Sequence, residues 1–305
     1  MAEREKLLEV DHIKVEFGKK NRPFVAVEDV SFDIYKGEIF GLVGESGSGK
    51  TTVGRSIVRA NSLASGEIRL NGRKISGKLS KADDMQVTRD VQMIFQNPAN
   101  SLNERANVGY IVAEGLYAAG RSYTKKQRQE MVEKALTDVG LMPEFAERFP
   151  HEFSGGQQQR IGIARALILN PSLIIADEPI SALDVSVRAQ VLNLLARLQK
   201  ERELTYLFIA HDLSSVRFIC DRIAVIRKGR ILELAGSEQL FANPVHPYTK
   251  ALLSAVPIPD PVDERNRNLL VYNPSEYNYD GDSPVWTEVE PGHFVYANRA
   301  ELHAC

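Results

Sequence analysis

The chain has 305 residues, 43% hydrophobic and 26% charged, enough for one large core or two modest ones. Lys and Arg (38) nearly balance Asp and Glu (40), and a net charge of −2 supplies no basic field for nucleic acid or anionic lipid. Two cysteines, Cys220 and Cys305, exclude a disulfide framework, and no run approaches the about 20 apolar residues that a membrane span requires. The first residues lack the apolar core of a signal peptide, so a reducing cytoplasm is the expected compartment.

In chain order, segments 7–17, 26–35 and 67–70 alternate like strands, the last closed by the turn pair Asn71-Gly72, and predict a small antiparallel sheet. Residues 39–43 form a continuous apolar run, expected of a strand buried on both faces; a Gly-rich loop and a helix over 50–59 follow. From about 84 to 165 the pattern is helical, with predicted helices at 107–118, 125–139 and 156–169 and loops around Pro98 and Pro143. Buried strands return at 173–176 and 206–210, separated by a helix that aligns Val187, Val191, Leu194, Leu195 and Leu198 on one face. A hairpin follows, 223–226 and 231–234 joined through Lys228-Gly229, and Cys220 just before it is expected to be a buried free thiol in an apolar helical stretch. After Pro257-Ile258-Pro259-Asp260-Pro261 the chain turns aromatic and acidic, with Tyr277, Tyr279, Trp286 and Phe294. This segment, 258–305, has too little apolar content to fold alone and is expected to pack on the main domain.

Chemistry concentrates in a few places. Gly44-Glu45-Ser46-Gly47-Ser48-Gly49-Lys50-Thr51 fills every fixed position of a phosphate-binding P-loop, between a strand and a helix. Its glycines let backbone amides turn toward the β-phosphate, and the helix N-terminus adds its dipole. Lys50 is expected at the β- and γ-phosphates and Thr51 at Mg²⁺, with Thr52 extending the nucleotide contacts. Asp177 and Glu178 end an apolar strand with adjacent carboxylates, which calls for a cation or a proton. Asp177 is the expected Mg²⁺ ligand, and Glu178 the base that polarises the attacking water.

His211 directly follows the strand 206–210; by itself such a histidine is more often structural, and with these neighbours it is expected at the γ-phosphate, orienting Glu178 or the water. Gln96 reads either as a polar residue before the Asn97-Pro98 turn or as a contact to Mg²⁺ and the water. Phe153-Ser154-Gly155-Gly156-Gln157 lies between the P-loop and the acidic strand end, where Ser154 and the amides of Gly155 and Gly156 open a helix whose N-terminus suits a phosphate.

Taken together, residues 44–51, Gln96, 154–157, Asp177-Glu178, Ser181-Ala182-Leu183-Asp184 and His211 resemble, in order, the Walker A, Q-loop, signature, Walker B, D-loop and H-loop motifs of ATP-binding-cassette (ABC) ATPases. The resemblance covers about residues 6–257. Within that family, Asn97-Pro98 with Ser101-Leu102-Asn103, then Pro150-His151-Glu152, then Asn243-Pro244-Val245-His246-Pro247-Tyr248-Thr249 are similar to the ATP-binding subunits of oligopeptide and dipeptide importers. Glu290-Pro291-Gly292-His293-Phe294-Val295 is similar to the tail of the F-type subunits of Gram-positive oligopeptide permeases.

The resemblance implies an α/β P-loop NTPase cassette with a RecA-like mixed-sheet core and an N-terminal antiparallel β subdomain. It also implies an inserted helical signature subdomain at about 97–165 and a small extension at 258–305. Two cassettes would sandwich ATP and Mg²⁺, Ser154, Gly155, Gly156 and Gln157 reaching the partner's ATP, with Asp184 at the same interface. The implied partners are a second, related ATPase in a heterodimer, two transmembrane permeases docking near 97–117, and an extracellular peptide-binding lipoprotein. The chain would lie on the cytoplasmic side of the cell membrane, touching it only through the permeases.

The sequence departs from the family in places. Phe153 replaces Leu, Gln158 stands where a basic residue is frequent, and Phe17 replaces the adenine-stacking Tyr unless it is a strand-end core residue. Relatives often carry a cysteine cluster in the extension; with Cys305 alone there, no iron–sulfur centre is expected, and His303 with Cys305 makes at most a partial metal site. The rival class, a soluble cassette ATPase of translation or DNA repair, is disfavoured by the single cassette and the short helical insertion. Residues 243–249 argue against efflux, and a non-peptide solute such as nickel or sugars stays open.

Overall fold

A computed structural model describes residues 4–19, 22–120, 122–256, 269–277 and 282–302. Its elements run β1 Lys6–Lys19, β2 Arg22–Tyr35, β3 Ile39–Val43, α1 Lys50–Ile57, β4 Ser65–Leu70, β5 Arg73–Lys74, α2 Lys81–Asp90 and β6 Val91–Ile94. Then come α3 Pro98–Ser101, α4 Val108–Ala118, α5 Lys125–Asp138, α6 Gly155–Leu167, β7 Leu173–Asp177, α7 Val185–Arg202, β8 Thr205–Ala210 and α8 Leu213–Arg217. β9 Arg222–Arg227, β10 Arg230–Gly236, α9 Ser237–Ala242, α10 Pro247–Ser254, β11 Val285–Glu290, β12 His293–Ala297 and α11 Arg299–Leu302 complete the chain.

Strand period two builds the core. β3, β7 and β8 are buried along their whole length, as parallel strands covered on both faces are. Phe40, Leu42, Leu173, Ile175, Leu207, Ile209, Ala224 and Ile226 point to one face, where they meet α1 and the apolar side of β1, β2 and β4. Their alternates Ile39, Val43, Ile174, Ala176, Tyr206, Phe208, Ile223 and Val225 meet the helices of the other face. The strand order is β5-β4-β1-β2-β10-β9-β3-β8-β7-β6: β9, β3, β8, β7 and β6 are parallel, whereas β1, β2, β4 and β5 pair antiparallel.

Helix starts follow local chemistry. Asn107 accepts from the Tyr110 amide at 2.9 Å to cap α4, and Thr124 with Gln127 forms a capping box at α5. Two expectations need correction. The helical stretch from about 84 contains a core strand, β6, whose four residues pair with β7; a segment so short shows no period of its own. Cys220 is a buried free thiol, but it lies between α8 and β9 and not in a helix, because the strand must begin at Arg222.

The C-terminal segment packs on the main body, as expected. β11 pairs with β12, and β12 adds antiparallel to β10, so the extension continues the sheet. Tyr279, His303, Cys305 and residues 257–261 lie outside the described residues.

Candidate active site

Parallel sheets gather ligands at the carboxyl ends of their strands. Here β3, β8, β7 and β6 stand side by side and end, in that order, in the P-loop, His211, Asp177-Glu178 and Gln96. The motifs that the sequence spaces over 168 positions thus share one edge.

The P-loop is shaped by glycine. Gly49, with φ of 107°, caps α1, and a Cβ there would lie 2.6 Å from the Ala26 carbonyl oxygen. A Cβ on Gly44 would meet the Ile226 carbonyl oxygen at 2.1 Å. The Gly229 amide donates to the Ser48 carbonyl at 2.8 Å, and the Gly229 carbonyl accepts from the Glu28 amide at 2.9 Å, so the β9–β10 turn holds the loop against β2. Sequence reasoning read Lys228-Gly229 only as a hairpin turn and missed this support.

Lys50 is 4% exposed, and its ammonium donates to the carbonyls of Gly44 (2.7 Å) and Glu45 (2.8 Å). Burial depresses its pKa, opposed by the charges of Glu178, Asp177 and Glu45. Thr51 donates its hydroxyl proton to Asp177 Oδ1 at 2.9 Å. Burial raises the Asp177 pKa, with the Thr51 bond opposing and the Glu178 charge adding to the rise. Two hard oxygens face each other beside an under-compensated carboxylate, a donor pair that fits Mg²⁺.

Glu178 adopts a left-handed φ of 46°, held by its amide bonding the Ile209 carbonyl (3.0 Å) and its carbonyl accepting from the Ser181 amide (3.2 Å) and hydroxyl (3.1 Å). Such a conformation costs about 1–3 kcal/mol and concentrates at functional sites. Its carboxylate Oε2 accepts from Gln96 Nε2 at 2.8 Å and lies 3.0 Å from His211 Nδ1. Gln96 and His211, each ambiguous in sequence, converge on one oxygen.

The remaining residues stand elsewhere. Ser154 and Gln157 form a capping box at the start of α6, where Ser154 and Gly155 are exposed and Gly156 and Gln157 half-buried. A Cβ on Gly156 would meet Val187 Cγ1 at 2.5 Å, so the glycine lets α6 start against α7. Leu183 is buried while Ala182 and Asp184 are exposed, and Val185 beside them is 81% exposed. Phe17 is 42% exposed, opposite Phe24 on β2, and is not a core residue. The Gln158 carboxamide donates to the carbonyls of Pro150 (2.9 Å) and Phe153 (3.3 Å), a local tie at the position of that departure.

Fold and site together define a P-loop ATPase of the cassette type. A family profile described as "ABC transporter" matches residues 27–181, and one described as "Oligopeptide/dipeptide transporter, C-terminal region" matches 232–280. The chain belongs to the ABC transporter family. It is 59% identical over 298 residues to the Streptococcus pyogenes serotype M1 "Oligopeptide transport ATP-binding protein OppF", covering 98% of this chain and 97% of that one. A Bacillus subtilis (strain 168) protein of the same name is 55% identical over 301 residues, 98% and 99% covered. Among solved structures, a dimeric post-hydrolysis ATP-binding cassette bound to ADP and Pi matches with TM-score 0.68 at 27% identity, covering 76% of this chain and 99% of that one. No helix among the described residues is long and apolar enough to cross a membrane.

Proposed function

We propose that this chain hydrolyses ATP to energise oligopeptide uptake through partner permeases. The convergence on Glu178 carries the reading: a carboxylate at a buried strand end, gripped by Gln96 and His211, stands beside a P-loop whose lysine is turned onto the loop's own carbonyls. ATP would occupy loop 44–52 with its adenine on Phe17, drawing Lys50 from the Gly44 and Glu45 carbonyls to the phosphates. Thr51, Asp177 and Gln96 would hold Mg²⁺, which supplies charge neutralisation of the phosphates when bound. Glu178 takes the proton of the attacking water, and His211 and Gln96 fix the carboxylate that receives it.

The names of the relatives and the C-terminal family match support a peptide as solute. The exposed stretch at Ser154, Gly155, Ala182, Asp184 and Val185 supports a second cassette completing each ATP site, in our reading a related chain. We assign 6–257 to the cassette, with the helical subdomain at about 97–165, and 258–305 to the extension. Exposed Tyr110 and Tyr117 support docking of two permeases on the helical subdomain, which would hold the chain at the cytoplasmic face of the membrane. An extracellular peptide-binding lipoprotein would deliver the solute.

Uptake of a labelled oligopeptide in cells lacking this chain tests the reading, together with mass spectrometry of proteins recovered with it in mild detergent. Uptake restored by the wild type but not by Glu178→Gln, with permeases and a second cassette recovered, is expected. Unimpaired uptake without the chain, or recovery of ribosomal or DNA-repair proteins in place of permeases, refutes it.

A further inference from the structure

The P-loop has one contact that neither the nucleotide nor the sheet explains. The Glu45 amide donates to the hydroxyl of Tyr248, which lies 203 residues away at the start of α10 and is 2% exposed, at 3.3 Å. Glu45 is also the residue whose carbonyl Lys50 holds. Were the ammonium to turn to a phosphate, as the nucleotide reading requires, that carbonyl would lose its partner while the amide kept its own.

Tyr248 is in turn fixed by the extension. The Arg227 guanidinium lies over its ring at 5.2 Å and over that of Tyr272 at 4.8 Å, and Tyr272 packs edge-on against Tyr248 and His246. The Tyr272 hydroxyl donates to Glu301 Oε1 at 2.7 Å. The turn before α10 is gripped by Glu233, wholly buried on β10, which accepts from the amides of Val245 (2.8 Å) and His246 (3.0 Å) and contacts His293 Nε2 of β12 at 2.7 Å. Buried polar groups need such partners, and this set joins β10, α10, β12 and α11 into one unit ending at the Tyr248 hydroxyl.

We infer that Tyr248 is a positioning residue for the P-loop and that the C-terminal extension sets ATP affinity through it. The hydroxyl fixes the Glu45 peptide while Lys50 changes partners, so the phosphate cradle keeps its shape as nucleotide enters. This rests on the nucleotide reading of residues 44–51.

The test is ATP binding to the full chain, with steady-state hydrolysis in the assembled transporter, for Tyr248→Phe, Tyr272→Phe, their double variant and Tyr206→Phe. Tyr248→Phe keeps the ring and loses only the hydroxyl. It is expected to raise the Kd and KM for ATP about two- to tenfold, the range of one neutral hydrogen bond, with kcat at saturating ATP unchanged. Tyr206, whose buried hydroxyl has no hydrogen-bond partner among the described residues, is the control and is expected to bind ATP as the wild type does.

Tyr272→Phe is expected to weaken binding less, and to add nothing in the Tyr248→Phe background. Wild-type affinity in Tyr248→Phe overturns the inference while leaving the nucleotide reading intact, and an equal Tyr272→Phe effect in both backgrounds overturns the route from the extension. Failure of the wild type itself to bind ATP overturns both readings.

Discussion

Glu178→Gln isolates the proposed base. Gln has the shape of Glu, and its carboxamide oxygen can occupy the position of Oε2, accepting from Gln96 Nε2 and staying near His211, now at 2.8 and 3.0 Å. The left-handed backbone, fixed by the bonds to Ile209 and Ser181, does not depend on the side chain. What is lost is the capacity to take a proton. General-base catalysis is worth about 10²–10⁴-fold, or about 2.7–5.4 kcal/mol at 1.36 kcal/mol per decade. Phosphate release by the assembled transporter should therefore fall by at least about a hundredfold, while ATP affinity of the variant matches or exceeds that of the wild type. Unchanged steady-state turnover would refute the assignment, and lost ATP binding would refute the separation of base from cradle.

Asp177→Asn should raise the apo melting temperature at neutral pH in a chelator while abolishing Mg²⁺-dependent hydrolysis. The folded pKa of Asp177 lies above its ordinary 3.8, so the native state keeps the proton longer than the unfolded chain, and this group lowers stability as pH climbs through that window and above it. Asn removes the penalty and can still accept from Thr51; Lys50 retains Glu178 as its main supporting charge. A drop in melting temperature would show that burial does not dominate. Gly44→Ala forces a Cβ onto the Ile226 carbonyl oxygen, and should cost about 1–3 kcal/mol of stability together with most ATP affinity; an unshifted melt and titration would refute it. Gly156→Ala meets Val187 Cγ1 at 2.5 Å and should destabilise by about 1 kcal/mol, with Val187→Ala restoring the loss in the double variant; no rescue would deny that contact.

Features that local rules can express were legible along the chain. Continuous apolar runs marked β3, β7 and β8, period two marked β1 and β2, and a turn pair marked the β9–β10 hairpin, because parallel burial, pleating and turn chemistry act over a few residues. The P-loop was legible for the same reason: its glycines and Lys50-Thr51 are adjacent. Gln96 and His211 were not separable from bland polar residues until β6, β7 and β8 brought them to one oxygen of Glu178. Tertiary contacts turned Phe17 outward, and they buried Glu233, a charged residue within the predicted hairpin strand 231–234. A carboxylate can be wholly enclosed only when distant donors enclose it, here Val245, His246 and His293 at separations of 12, 13 and 60 residues. That assembly, like the reach of Tyr248 to Glu45, satisfies buried polar groups across the fold, and no short stretch of chain contains all the partners.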